Sequence, residues 1–271
     1  AINDSWELIL NMKLFRYFLT VFRPDIVVVP CDRWEMVYFA AMAFHDNHIC
    51  VHFHAGNSSA NHPDDMNRRA ISCFSHVMLC NTEEHRQNLI RLGEEPWRIH
   101  TVGSTILDNI EIDESLCPKE PYDLVLLHPD PTSLTNTTSD MERTVELTFS
   151  LLHKVIWIHP NHDLNFELIE NLLNAWRSWA LKLPNLELYR NLPRPQFLGL
   201  LKNCSRAIGN SSSFLYELPT LNPKAEVIIV GNRNKGLAPV TNVNLGASKR
   251  IAEILATIPL DEKLKRKKLI Y

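Results

Sequence analysis

A chain of 271 residues is long enough for one large or two medium α/β domains. Its hydrophobic content of 45% and charged content of 22% are those of an ordinary soluble globular protein. A net charge of -3 removes any broad electrostatic case for nucleic acid or an anionic membrane as partner.

Apolar strand-like runs alternate with helical patterns almost throughout. The first element is a helix, WELILNMKLFRYFLTVF, with apolar residues at three- and four-residue spacing. DIVVVP, a helix over 34–45 and ICVHFHA follow, then a helix over 64–74, HVMLC, a helix over 82–92 and IHTVG. The polar, proline-bearing stretch EIDESLCPKEP separates this half from a second series. That series runs YDLVLLHP, a helix near 138–152, KVIWIHP, a helix near 164–182 and LELYRNL. It closes with a helix over 195–203, RAIGN, a short helix, EVIIVG, NVNL and a helix over 248–257.

Short β-branched runs alternating with helices of ten or more residues predict βαβ units and parallel sheets. Right-handed crossovers then leave two doubly wound domains as the simplest topology, over residues 1–118 and 119–271. The chain opens on a helix, whereas a Rossmann-type half normally opens on a strand, so the first domain is expected to lack its first βα unit. An exposed sheet edge there would favour association into a homo-oligomer.

The six cysteines show no CxxC or other short pairing pattern, and four lie in or beside apolar runs, as reduced core cysteines do. With no apolar run of transmembrane length and no signal-peptide pattern, a cytoplasmic protein that engages no membrane is expected. The basic tail EKLKRKKLIY reads as a solvated last helix whose cations complement its dipole.

Ligands of such sheets bind beyond the carboxyl ends of the strands, and polar chemistry concentrates there. Cys31-Asp32-Arg33 follows DIVVV, His52 to Asn57 follows ICV, and His128-Pro129 follows LVLL. His159 to Asp163 follows KVIWI, and Asn210 to Ser213 follows RAI. The stretch GNSSSFLYE carries three consecutive hydroxyls that serve either as helix caps or as an anion seat. Phosphate-loop and dinucleotide glycine patterns are absent, against an ATPase or an NAD enzyme.

The residues PDIVVVPCDR, HFHAGN with DDMNRRA, RLGEEPWRIHTVGSTILD, LLHP, HPNHD, PRPQFLGLLK, GNSSSFLYE and GNRNKG resemble those of the UDP-N-acetylglucosamine 2-epimerases. The similarity runs from PDIVVVPCDR to NKGLAPVTNV and is closer to the hydrolysing branch, to which GNSSS points. It implies two Rossmann-like domains facing a cleft, a GT-B-like fold, with a UDP-sugar as substrate and no cofactor or metal. It also implies elimination of UDP from a UDP-N-acetylhexosamine, followed by hydration of the glycal to the C2 epimer. Inverting C2 needs acid/base groups on both faces and a means to stabilise departing diphosphate.

Position by position, the resemblance assigns Asp32 and Asp64 to acid/base work and His128 to the leaving phosphate, as a protonated imidazole. Ser211 and Ser212 match the diphosphate seat, and Glu217 matches the carboxylate that accepts both ribose hydroxyls. Phe197 matches the position beside the uracil, while Arg33, Asn161, Asp163 and Arg233 match other cleft positions. For Asp32-Arg33 the plain alternative is a helix N-cap and a surface charge, and for Phe197 it is ordinary core.

The pattern is broken in four places. The family's glutamate in the third motif is His54, and a second acidic position is Asn57. Leu237 and Asn234 stand where an arginine and a glutamine are expected, and the first βα unit with its arginine is missing. An imidazole at 54 still titrates near neutrality but does not reproduce a carboxylate's charge, so impaired activity is expected. The alternative is a non-catalytic sugar-nucleotide-binding remnant. A third reading, a metal-dependent hydrolase, takes His52 and His54 as sharing one face of a strand, with His62, His128, His159 and His162 nearby in kind.

Overall fold

The computed structural model describes residues 5–58, 63–130, 133–149, 153–161, 165–180, 185–235 and 245–270. The chain forms two compact units, residues 109–242 and residues 1–108 joined by 243–271.

The first unit runs α1 (Ser5–Phe22), β1 (Ile26–Pro30), α2 (Trp34–His45), β2 (Ile49–Ala55), α3 (Pro63–Phe74), β3 (Val77–Cys80), α4 (Glu83–Arg91) and β4 (Ile99–Thr101). Its four strands are parallel, in the order β1-β2-β3-β4. Alternate residues of the apolar runs feed opposite faces, as a two-residue side-chain period requires. Val29 and Cys50 pack with Ala40, Ala43 and Ile71 of α2 and α3. On the other face Ile49, Val51, Val77 and Leu79 pack with Ile251, Ile254 and Leu264. Those last residues belong to α10 (Ala247–Thr257) and α11 (Glu262–Lys265), the closing helices of the chain.

The expected boundary at residue 118 placed this closing segment with the second half; in the structure it covers the first sheet instead. The physical reason is specific. Buried Arg98 donates to the carbonyls of Lys263, Leu264 and Arg266. Lys267 lies 2.8 Å from Glu94, and Ile270 N donates to Gly93 O. The basic tail is therefore docked, not simply solvated.

Among the described residues no strand pairs with the outer edge of β1. Trp6, Leu10, Leu14, Tyr17 and Phe22 of α1 are each more than half exposed. No described helix is long and apolar enough to cross a membrane.

The second unit runs β5 (Tyr122–Leu126), α5 (Leu134–Phe149), β6 (Lys154–Ile158), α6 (Phe166–Ala180), β7 (Leu186–Tyr189), α7 (Arg194–Asn203), β8 (Arg206–Gly209), α8 (Ser213–Tyr216), α9 (Leu218–Leu221) and β9 (Glu226–Ile229). Its five parallel strands take the order β7-β6-β5-β8-β9. Tyr122, Leu124, Ile156 and Ala207 face Leu200, Leu201 and Phe214, while Val125, Trp157 and Ile208 face Met141, Ile169 and Leu173. Both faces are thus covered, the doubly wound arrangement expected of continuous apolar strands. The chain walks outward from β5 to β7, then returns to β8 on the other side of β5. That reversal opens a crevice beyond the carboxyl ends of β5 and β8, where α/β sheets bind ligands.

Candidate functional site

Two polar exits meet at this reversal. β8 ends on Gly209 at φ +135, and a Cβ there would lie 2.1 Å from the Leu126 carbonyl oxygen, so only glycine lets the two strands approach. The next residue, Asn210, is fully buried and clamps the β5 exit at two points. Its Nδ2 donates to His128 O at 2.9 Å and its Oδ1 accepts from His128 N at 2.7 Å. Asn234 Nδ2 in turn donates to Asn210 O at 2.6 Å.

The clamp aims His128, whose Nδ1 accepts the backbone N–H of Asn161 at 3.4 Å. Burial, and then the positive charge of Arg233, hold this imidazole well below its usual range, at about 3. His128 is therefore neutral at neutral pH, with Nε2 carrying the proton. In this setting the ring offers one N–H, where the resemblance implied a protonated imidazole beside a departing phosphate.

Around it lies a cavity of about 690 Å³, within the size range of small-molecule sites. His128, Asn161, Phe197, Ser211, Ser212 and Arg233 all line it. The structure thus brings together six of the residues that the sequence reading singled out. Arg190 and Arg194 join Arg233 in the wall, against one carboxylate, Glu170, among the described residues, so the described lining favours an anion. Glu170 Oε1 lies 3.6 Å from Nδ1 of His159, a second histidine of the lining.

The serine stretch does some capping and leaves more. Ser211 Oγ accepts from Ser213 N at 3.3 Å, while Ser212, at the N-cap of α8, makes no capping bond through its side chain. Glu217 sits between α8 and α9, only 3% exposed, and does not itself line the cavity. Burial pushes its carboxyl up, and Arg194 and Ser213 oppose that shift. Arg194 Nη1 lies 3.4 Å from Glu217 Oε1. Both of these partners line the cavity, so Glu217 stands one side chain behind its wall.

Asp32, Arg33, His54 and Asp64 belong to the first unit. Asp32 does not cap α2; Arg33 occupies the N-cap position, and its guanidinium turns to Glu35 at 3.1 Å. Asp32 is ion-paired with Arg68 of α3, which also donates to Asn57 O at 3.0 Å and lies 3.5 Å from Asp65. Asp64 sits partly buried in the first turn of α3.

At His54 the pairing of β2 with β3 shifts register and the backbone enters the left-handed region at φ +63. Its Nδ1 lies 3.0 Å from Asn81 Nδ2, and burial, then Arg68, lower its pKa to about 4. The irregularity removes the simple alternation by which His52 and His54 would share a face. His52 has both ring nitrogens engaged, by Ser72 Oγ and Cys31 O. Among the described residues no three His, Cys, Asp or Glu side chains gather to hold a metal ion. His62, His162, Asp163 and Leu237 lie outside the described residues.

Sequence reasoning missed Arg68, Arg190, Arg194 and Glu170. Only Arg68 carried a readable local signal, its helical spacing from Asp65 in DDMNRRA.

A family model described as UDP-N-acetylglucosamine 2-epimerase matches residues 8–269. A UDP-N,N'-diacetylbacillosamine 2-epimerase (hydrolyzing) of Legionella pneumophila is 30% identical over 78% of this chain and 57% of that protein. A GDP/UDP-N,N'-diacetylbacillosamine 2-epimerase (hydrolyzing) of Campylobacter jejuni is 30% identical over 90% of this chain and 66% of its own length. The chain thus spans about three fifths of the length of these curated relatives. Among solved structures, a UDP-GlcNAc 2-epimerase of Neisseria meningitidis bound to UDP-GlcNAc aligns with a TM-score of 0.68 at 16% identity, covering 99% of this chain and 78% of that one. That likeness shows the fold.

Proposed function

The chain belongs to the UDP-N-acetylglucosamine 2-epimerase family, and on that premise we propose that it binds a UDP-N-acetylhexosamine and converts it by the hydrolysing route. The observation that carries this reading is the cavity at the β5/β8 reversal, lined together by Ser211, Ser212, His128, Asn161, Phe197 and Arg233.

In this reading the diphosphate lies against Ser211, Ser212 and Arg233, and the neutral His128 donates its Nε2–H to a phosphate oxygen. Such fixed donors act where charge grows as UDP departs. The uracil rests on Phe197, Glu217 takes the ribose hydroxyls, and Asn161 adds a further contact; Arg33 is a separate nucleotide-binding candidate of the first unit. The C2 proton leaves to a base as the C1–O bond to UDP breaks, giving a glycal. Water then adds its hydroxyl to C1 while a proton returns to C2 on the opposite face. Asp32, Asp64 and His54 are the acid/base candidates.

A second reading, a sugar-nucleotide-binding protein without turnover, is favoured by His54. A largely buried imidazole held near 4 stands where the family's carboxylate is expected. One experiment separates the two. The protein is incubated in deuterated water with UDP-N-acetylglucosamine and, separately, with a UDP-diacetamido sugar, and NMR follows UDP release and exchange at C2. Release or exchange with either supports the enzyme and names its sugar. UDP binding without either supports the second reading, and absence of UDP binding removes both.

A further inference from the structure

His52 lies fully buried on β2, and no step above uses it. Its Nε2 is 2.7 Å from the Cys31 carbonyl oxygen and its Nδ1 is 2.8 Å from Ser72 Oγ. A carbonyl only accepts, so Nε2 carries the proton and donates; Nδ1 of the neutral ring then accepts the Ser72 hydroxyl. The tautomer is thereby set from both sides.

The carbonyl it holds is unusual. Cys31 N still donates to Phe53 O at 2.9 Å, one step beyond the paired residues of β1. Its φ is +57, a left-handed conformation that a non-glycine residue adopts only when its surroundings enforce it. This turn delivers the following residue, Asp32, to Arg68, which is itself tied to Asn57 O. Without a donor at 52 the Cys31 carbonyl would lose its side-chain partner, and the turn would lose the contact that opposes its strain.

We propose that His52 is a positioning residue: by donating to the Cys31 carbonyl it holds the left-handed turn that presents Asp32 to Arg68 and thereby fixes where that carboxylate meets substrate. The catalytic part rests on the reading of Asp32 as an acid/base group of an epimerase; the geometric part does not.

The test compares His52→Leu, which removes the donor, with His52→Gln, whose amide nitrogen still reaches the carbonyl. Three readouts are taken: turnover, UDP affinity, and the guanidinium ¹⁵N NMR signal of Arg68, whose slow rotation reports the ion pair. In His52→Leu, kcat is expected to fall at least tenfold with KM within about twofold. UDP affinity is expected to stay unchanged, and the Arg68 signal to broaden. His52→Gln is expected to restore turnover and the Arg68 signal. Adding Cys31→Gly to His52→Leu is expected to recover most of the loss, because glycine takes φ +57 without strain. If His52→Leu does not fold, His52→Asn takes its place, its shorter amide stopping short of the carbonyl.

An Arg68 signal unchanged in a folded donor-less variant, or no recovery on adding Cys31→Gly, overturns the proposal. If the wild-type protein shows neither UDP release nor C2 exchange on any UDP-sugar, the epimerase reading fails. The NMR and rescue arm, read by the Arg68 signal, still decides the geometric claim.

Discussion

Arg194 places a guanidinium nitrogen 3.4 Å from a carboxylate oxygen of Glu217, a half-exposed cation over an almost wholly buried anion. The pair explains how a carboxylate can stay charged behind a cavity wall, and it makes Arg194 the group that nucleoside hydroxyls must share with or displace. Hydrogen bonds to a charged acceptor contribute about 1.5–3 kcal/mol each. Glu217→Gln is therefore expected to weaken UDP binding by roughly 10–100-fold while leaving inorganic diphosphate unaffected, as read by calorimetry. Equal losses for both ligands would make Glu217 a structural partner of Arg194 only.

Acid should unfold the first unit before the second. His52 is lowered to about 3 and His54, His76 and His85 to about 4 in the first unit, burial being the main cause, whereas the second unit has His128 at about 3. Each folded imidazole binds its proton less readily than the unfolded one, so stability is lost as pH falls below about 6.5 towards the folded value. His52 alone removes about 2 kcal/mol by pH 5. Scanning calorimetry at pH 7.5 and pH 5 should show the two units separating, with the transition of the first moving further.

Asp123 is fully buried at the start of β5, and Arg206 of β8 pairs with both its oxygens at 2.9 and 3.1 Å. Removing one member of a buried pair leaves an uncompensated charge, typically a loss of about 3–5 kcal/mol. Arg206→Ala should lower the melting temperature of the second unit markedly. Arg143→Ala, which breaks only a surface pair, should leave it nearly unchanged.

Gly209→Ala places a methyl group against the Leu126 carbonyl in a backbone region that side chains rarely adopt. A loss of about 3 kcal/mol is expected, together with weaker UDP binding, because the Asn210 clamp on His128 hangs from the same strand end. Thermal unfolding and calorimetry test the two effects separately.

Most of the architecture was legible because each element carries its own pattern. DIVVVP became β1, WEMVYFAAMAFH became α2, and the strand exits LLHP, HPN and GNSSS do converge in the second unit. What escaped was set by partners far along the chain. The protonation of His128 depends on burial, on Asn161 and on Arg233, none of which its own neighbours in sequence announce. Nothing in their own sequence neighbourhoods sets Arg194 against Glu217 or Arg68 against Asp32; folding does. The left-handed turns at Cys31 and His54 carry no glycine to betray them. Nor does the amphipathic pattern of α10 say which of two sheets its apolar side will cover.

The docking of α10 and α11 on the first sheet has a consequence for biosynthesis. One face of that sheet stays bare until residues beyond 247 have been translated, because Ile251, Ile254 and Leu264 are what cover it. The second unit, contiguous from 109 to 242, is finished sooner. The usual co-translational order, amino-terminal part first, is thus inverted here. Residues 26–101 wait on the ribosome for residues 247–265, and a premature stop before α10 would release a chain whose second unit is complete and whose first sheet lacks the cover of one face.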